Sequence, residues 1–428
     1  MTQPHRVHVV GAGLAGLAAA LTLAEAGVGV VLHEAAPQAG GRCRSYFDAT
    51  LGCRVDNGNH LLIAANRAAM RYLRDIGARE TLTGPREAAY PFLDRRSGER
   101  WTLRPNAGRL PWWVLVPSRR VKGTGPFDYL AARHLADAPA DAVVSGALDP
   151  RALIFRRLWQ PLAVAALNTE VEAASAKLFG EVLNESLGAG GAACVPLVPR
   201  EGLTETLIDP ALAKLRARGA ELRFGSRLRA MGFSEDRLAT LDFEGSLEPL
   251  SADEAAVLAV PAPIAARLVP DLTTPDEFRA IVNAHFRVAL RGDVPWFVGI
   301  VGGVAEWVFR KQDVLSVTVS AADRLVDMPA DELAPLLWHD VVAAFDLPPE
   351  PMPPWQIVKE KRATFAATPA QLARRPGTAT RWPNLVLAGD WTATGLPATI
   401  EGAIRSGFQA ADRLLGQAAS WTDSKPLN

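Results

Sequence analysis

The chain has 428 residues, 49% of them apolar, which is material for a sizeable core and two or three domains. Lysine plus arginine equals aspartate plus glutamate at 46 each, so no net field recruits nucleic acid or an acidic partner. Three cysteines, Cys43, Cys53 and Cys194, show no CxxC spacing; a reducing compartment is expected, with no disulfide framework and no metal site.

Residues 6–16 read as an apolar strand, a tight turn at Gly11 and a glycine triplet (Gly11, Gly13, Gly16) that opens an Ala/Leu helix over 14–26. A turn at Gly27, a strand from Val28 to His33 and an acid at Glu34 complete a unit that holds an adenine dinucleotide by its pyrophosphate. Gly13 lets the backbone approach the phosphates, and Gly16 lets the helix pack on the strand. The helix start at Leu14 and Ala15 offers N–H groups and a partial positive charge to the anion. Glu34 accepts from a ribose hydroxyl and disfavours a 2′-phosphate, which argues against NADP. The run Val9 to Ala24 is apolar throughout, yet shorter than the ~20 residues of a membrane span. It also lacks the basic flank and cleavage site of a signal peptide.

Gly40-Gly41-Arg42 follows Glu34 by six residues. Two glycines let a loop pass close to a ligand, and the arginine neutralises a phosphate. From residue 76 the character changes. Leu110 to Pro117 is apolar, contains Trp112-Trp113, and is bracketed by Arg109, Arg119, Arg120 and Lys122. Two readings stand side by side: a membrane-surface patch with a basic rim, or a buried loop with solvated charges. Eleven tryptophans are many, and Trp112, Trp113, Trp159, Trp296 and Trp355 sit in apolar or Pro-rich settings. Most are expected in the core, with a cluster lining a large cavity as the other reading. Residues 151–190 show helical spacing of Leu153, Ile154, Leu158, Leu162 and Leu167, and Pro161 is expected to kink or restart the helix.

Alternating helix and strand patterns return at 200–262: a helix at 203–218, a strand at 221–224, then Gly225 to Leu228, and a strand from Ala255 to Val260 ended by Pro261. Residues 276–380 are rich in short strands, such as Val314 to Val319. Asn384 to Asp390 is an apolar strand ending in Gly389-Asp390, and Ala398, Thr399 and Ile400 lead into a second helix start. A carboxylate at the carboxyl end of a parallel strand stands where α/β folds bind ligands. Gly188 to Gly191 and Gly299 to Gly303 lack the following helix and acid, so they read as loops or close-packed strand ends.

These pieces together resemble the FAD-dependent amine oxidase and phytoene desaturase superfamily. The resemblance implies an α/β fold, a Rossmann-like FAD-binding domain with an inserted α+β substrate domain. The FAD domain is expected to combine residues 1–75, 200–275 and 381–428; residues 76–199 and 276–380 form the substrate domain. By the resemblance, Glu34 holds the adenosine ribose, Arg42 lies at the pyrophosphate or flavin edge, and Leu228 meets the adenine through its backbone. Asp390 and the helix start hold the ribityl–phosphate portion. Gly40, Gly41, Asn57, Gly58, Gly389, Ala398, Thr399 and Ile400 complete the expected cofactor site.

A narrower likeness is to the bacterial hydroxysqualene dehydroxylases, the hopanoid-associated FAD proteins. It rests on Asp56 to Ile63, Leu158 to Thr169, Lys359 to Phe365 and Trp391 to Pro397. Asn59 departs from the pattern, where glutamine is more usual. The likeness implies an apolar C30 isoprenoid substrate, an allylic alcohol that loses its hydroxyl and receives hydride from reduced FAD. An external reductant, unnamed by the sequence, must re-reduce the flavin. Candidate acids are His60, beside a glycine-containing turn, and Glu360 and Lys361 on a later strand; each is equally readable as structural or as surface charge. The chain is expected to be cytoplasmic, at the inner face of the membrane if the Trp112 patch touches lipid. Two other readings remain open on the same fold: an oxidative desaturase or amine oxidase, and a non-enzymatic isoprenoid binder.

Overall fold

The Arg6–Val10 strand pairs in parallel with Gly29–Glu34 on one side and Glu254–Leu258 on the other. Glu221–Phe224 and Leu385–Leu387 extend this sheet to five parallel strands. The computed structural model describes residues 3–290 and 294–417, so the end of the 381–428 stretch lies outside the described residues. The three central strands are buried along most of their length, as strands covered on both faces must be. All five carboxyl ends lie on one edge, and the strand order reverses direction beside Arg6–Val10, where open α/β sheets take ligands.

The turn after the first strand admits only glycine. Gly11 has φ +108°, and a Cβ there would lie 2.4 Å from the Ala259 carbonyl oxygen. A Cβ on Gly16 would meet the Gly11 carbonyl at 1.8 Å. The helix Leu14–Glu25 therefore starts hard against the strand. Its small residues also let Ile400–Leu415 approach, since a Cβ on Gly407 would lie 2.2 Å from the Ala15 carbonyl. The later strand ends at Leu258, two residues before the expected Val260, its last ladder bond running from Ala259 N–H to the Val10 carbonyl.

A seven-stranded sheet forms the second layer. Its order is Trp355–Phe365, Phe278–Arg287, Val314–Val319, Trp307–Lys311, Phe297–Val301, Tyr90–Asp94 and Arg100–Leu103. It is antiparallel except where Phe297–Val301 meets Tyr90–Asp94. The two sheets have separate cores, and a further cluster around Phe155, Trp159 and Phe179 closes over one face of the second sheet.

In the 151–190 stretch a π turn at Phe155–Trp159 leads into Gln160–Leu167, and Ala176–Glu185 follows. Pro161 falls in the first turn of its helix, where a missing N–H breaks no bond. The helix expected at 203–218 likewise begins as a π turn, Thr204–Ile208, before Asp209–Ala217. A three-stranded antiparallel sheet, Leu228–Phe233, Leu238–Phe243 and Ser246–Pro249, was not legible as strands in the sequence.

Candidate functional site

One cavity of about 1410 Å³ runs between the carboxyl edge of the parallel sheet and the face of the seven-stranded sheet. Ordinary small-molecule sites hold roughly 300–1,000 Å³, so there is room here for a large cofactor and a second ligand.

The first end is built from backbone. Gly11, Gly13, Leu14, Ala15, Glu34, Gly40 and Gly41 line it, with Leu228 at the start of the strand Leu228–Phe233. Gly13, unlike Gly11 and Gly16, has nothing within 4 Å of where a Cβ would sit, and the nearest atom to a Cβ on Gly41 is the Gly13 Cα at 3.6 Å. The helix Leu14–Glu25 carries no side-chain cap and no acid in its first turn. Its leading N–H groups therefore remain available to an anion. Glu34 accepts from the backbone N–H of Ala12 and of Ala36, both at 2.8 Å, which fixes its carboxylate at the strand end.

The second helix start converges on the same space. Gly389, Asp390, Ala398, Thr399 and Ile400 line the cavity. Thr399 caps its helix by accepting from Gly402 N–H at 3.0 Å. Glu401, in that first turn, points inward to Ala68 and Ala69 N–H and to Arg405. It also lines the cavity, but these partners take up its carboxylate. Arg42 donates to Asp390 at 2.6 Å and to the Ala363 carbonyl. Asp390 above all, with Glu360 adding, holds the Arg42 guanidinium charged even more firmly than usual. Two helix N-termini, one fixed cation and an open glycine cradle suit the pyrophosphate of FAD, and Glu34 suits its ribose. Gly16 does not line the cavity; it acts behind the turn.

A polar band crosses the middle. Asn57, Gly58, Asn59 and His60 enter from the first domain stretch, and Asn283, Thr318 and Ser320 from the second sheet. Asn59 donates to Thr318 Oγ1 at 3.0 Å, and Thr318 donates to Asn283 Oδ1 at 2.9 Å. Burial lowers the pKa of His60, outweighing Asp56, and so favours its neutral imidazole. Ser320 N–H donates to Glu306 at 2.7 Å. Burial raises the Glu306 carboxyl to about 7, against the hydrogen bonds of Ser320 and the charge of Arg324, with Glu170 adding to the rise.

Beyond the band the walls are apolar: Phe92, Leu103, Leu162, Phe179, Leu183, Trp307 and Phe309 among them. Asn168, left-handed at φ 48°, closes Gln160–Leu167, donates to Thr364 Oγ1 at 2.9 Å and accepts from Ala321 N–H at 2.6 Å. It ties the helical layer to the second sheet at the lobe's edge.

The candidate acids separate here. His60 and Glu360 line the cavity. Lys361 does not: its ammonium lies on the outer face, 2.8 Å from Asp327, because successive strand residues face opposite ways. Of the tryptophans singled out in the sequence, none lines the cavity; Trp113 and Trp159 are core, Trp112 and Trp296 are exposed. The tryptophans that do line it are Trp307 and Trp391. Asn283, Thr318, Ser320 and Glu306 were missed because they belong to no motif; Thr318 and Ser320 alternate with apolar residues at and just past the end of one strand, and Glu306 directly precedes another. Buried polar residues in such strands are the one signal that points to them.

The family model described as flavin containing amine oxidoreductase matches residues 14–291 and 301–415. A hydroxysqualene dehydroxylase of Rhodopseudomonas palustris is 50% identical over 96% of this chain and 98% of its own. One of Sinorhizobium fredii is 47% identical over 97% and 99%. Among solved structures, putrescine oxidase bound to putrescine superposes with a TM-score of 0.71 at 16% identity, over 96% of this chain and 99% of that one, a likeness of fold.

Proposed function

The chain belongs to the flavin containing amine oxidoreductases and, within them, to the hydroxysqualene dehydroxylases, and on that premise we propose that it converts hydroxysqualene to squalene in bacterial hopanoid synthesis. The observation that carries this reading is the single cavity that joins a dinucleotide cradle, through a polar band, to an apolar lobe. The reaction exchanges a C–O bond for a C–H bond, consuming one hydride and one proton and releasing water. FAD, bound and reduced, supplies the hydride.

Everything else falls to the chain. We assign residues 1–75, 200–275 and 381–428 to holding FAD, and 76–199 and 276–380 to holding the isoprenoid. The cofactor-side residues are those of the first end, with Glu34 on the ribose, Arg42 and the two helix starts on the phosphates, and Asn57 and Gly58 at the ring. The lobe excludes water, and its aromatic walls steady an allylic cation by ~0.5–2 kcal/mol each.

The leaving hydroxyl needs a proton. A neutral His60 orients the hydroxyl by hydrogen bonding without placing positive charge beside the developing cation. We assign the proton to Glu306, whose carboxyl holds it near neutrality. Glu306 protonates the Ser320 hydroxyl as that hydroxyl passes its own proton to the leaving oxygen. Glu360 is kept as the partner of Arg42, and Lys361 is withdrawn. The protein is further assigned to the inner face of the cell membrane, from which an apolar C30 isoprenoid alcohol must be drawn.

The test is an anaerobic incubation of the reduced holoprotein with hydroxysqualene. Squalene and oxidised flavin should appear in equal amounts. A flavin that stays reduced, with no squalene formed, overturns the reading.

A further inference from the structure

Nine large apolar side chains are exposed among the described residues, and five of them come from one short stretch: Leu110, Trp112, Leu115, Phe127 and Leu130. The stretch is not loose. Two 3-10 helices, Trp112–Leu115 and Pro126–His134, carry it. Each is pinned by inward residues, Trp113 against Tyr129 at 5.0 Å between ring centres, and Tyr129 against Trp159 at 6.1 Å. Val121 N–H donates to the Tyr129 hydroxyl at 2.9 Å. The outward side chains are therefore held in water by design of the fold, with Phe127 82% and Leu110 78% exposed. Scattered exposed apolar residues need no explanation, but a fixed cluster marks an interaction surface.

The charge of the segment itself is predominantly positive. Between residues 104 and 134 the only acid is Asp128, which is spent capping Gly125 N–H at 2.7 Å. Arg109, Arg119, Arg120 and Arg133 make no ion pair with any of the described residues. Arg119 lies over the Trp112 ring at 5.1 Å, so cation and aromatic face share one surface.

The surface also abuts the apolar end of the cavity. Asn106 and Ala107, just before it, accept from Gly191 and Ala192 N–H. The same 186–194 segment turns Leu187 and Cys194 into the cavity wall.

We propose that the face formed by residues 109–133 docks on a bilayer bearing anionic headgroups. Its five apolar side chains enter the headgroup boundary and its unpaired arginines meet lipid phosphates. The purpose of this surface rests on the isoprenoid reading above; its test does not.

The test is co-sedimentation of the FAD-loaded full chain with phosphatidylcholine vesicles, with and without a minority of phosphatidylglycerol, at low and high salt. Binding is expected to favour the anionic vesicles and to weaken by about tenfold at high salt. The triple variant L110S/W112S/F127S should bind about tenfold or more weakly while turning over detergent-dispersed hydroxysqualene like the parent. Absence of binding, or equal binding to both vesicle types, overturns the proposal. So does a parent that sediments as a dimer and a triple variant that sediments as a monomer, since a second copy would then cover the face. Vesicle binding without any turnover would sink the activity and leave the docking surface standing.

Discussion

The two ends of the cavity are made of different materials. The dinucleotide end is made of main chain: a glycine turn, two helix starts and one arginine held by Asp390. The apolar lobe is made of side chains from remote places, such as Leu103, Phe179 and Phe309. A charged ligand is recognised by oriented dipoles at fixed spacing, so its site demands particular residues in sequence. An apolar ligand is recognised by volume and dryness, which many residue combinations supply. At the junction, burial opposes charge on both His60 and Glu306, with opposite results: it lowers the imidazole's pKa towards the neutral ring and raises the carboxyl's to about 7.

The sharpest way to break this comparison is Gly11→Val. Its Cβ would sit 2.4 Å from the Ala259 carbonyl at a φ of +108°, so the variant should purify colourless and lose on the order of 3 kcal/mol of stability. A yellow variant would show that the cradle does not depend on main-chain approach. Phe179→Ala, in a residue fully shielded from solvent, should cost about 3 kcal/mol yet leave flavin content unchanged and raise KM for the isoprenoid. Flavin loss together with KM would mean the two ends are not separable.

Glu306→Gln tests the junction. With a carboxyl titrating at about 7, the parent's kcat/KM should fall as pH rises above that value, because the acid form is the working one. The variant should be slower by about a hundredfold and lose that dependence. An unchanged pH profile would remove Glu306 from the mechanism. Its pKa is raised on folding, so its stabilising contribution is present below the ordinary carboxyl range and lost as pH rises through about 7. The variant should accordingly melt higher than the parent in alkaline buffer and not in acid. The smallest effect belongs to Lys361→Gln, whose ammonium pairs with Asp327 in solvent. It should alter stability by no more than about 0.5 kcal/mol and leave turnover alone.

Legibility followed the same division. The glycine triplet, Gly40-Gly41-Arg42 and Gly389-Asp390 were readable because each is a contiguous motif with one backbone purpose; all but Gly16, which sits behind the turn, line one crevice. Lys361 was misread because a run of charges on a strand does not announce which residue faces in; pairing with Phe278–Arg287 decided that. Most tryptophans among the described residues are core, as expected, but their number carries no direction: Trp112 turns out to solvent while its neighbour Trp113 is core.

By itself the sequence pointed to a glycine cradle suited to an adenine dinucleotide, to the helix starts beside it, and to an apolar stretch ringed by arginines. Local spacing dictates these, since turns, caps and strand ends are settled within a few residues. Only the tertiary structure decided which polar side chains meet across the cavity, that burial raises the Glu306 carboxyl, and that Lys361 is outside. Burial and strand pairing are properties of residues far apart in the chain, and neither leaves a mark in the spacing of any one segment.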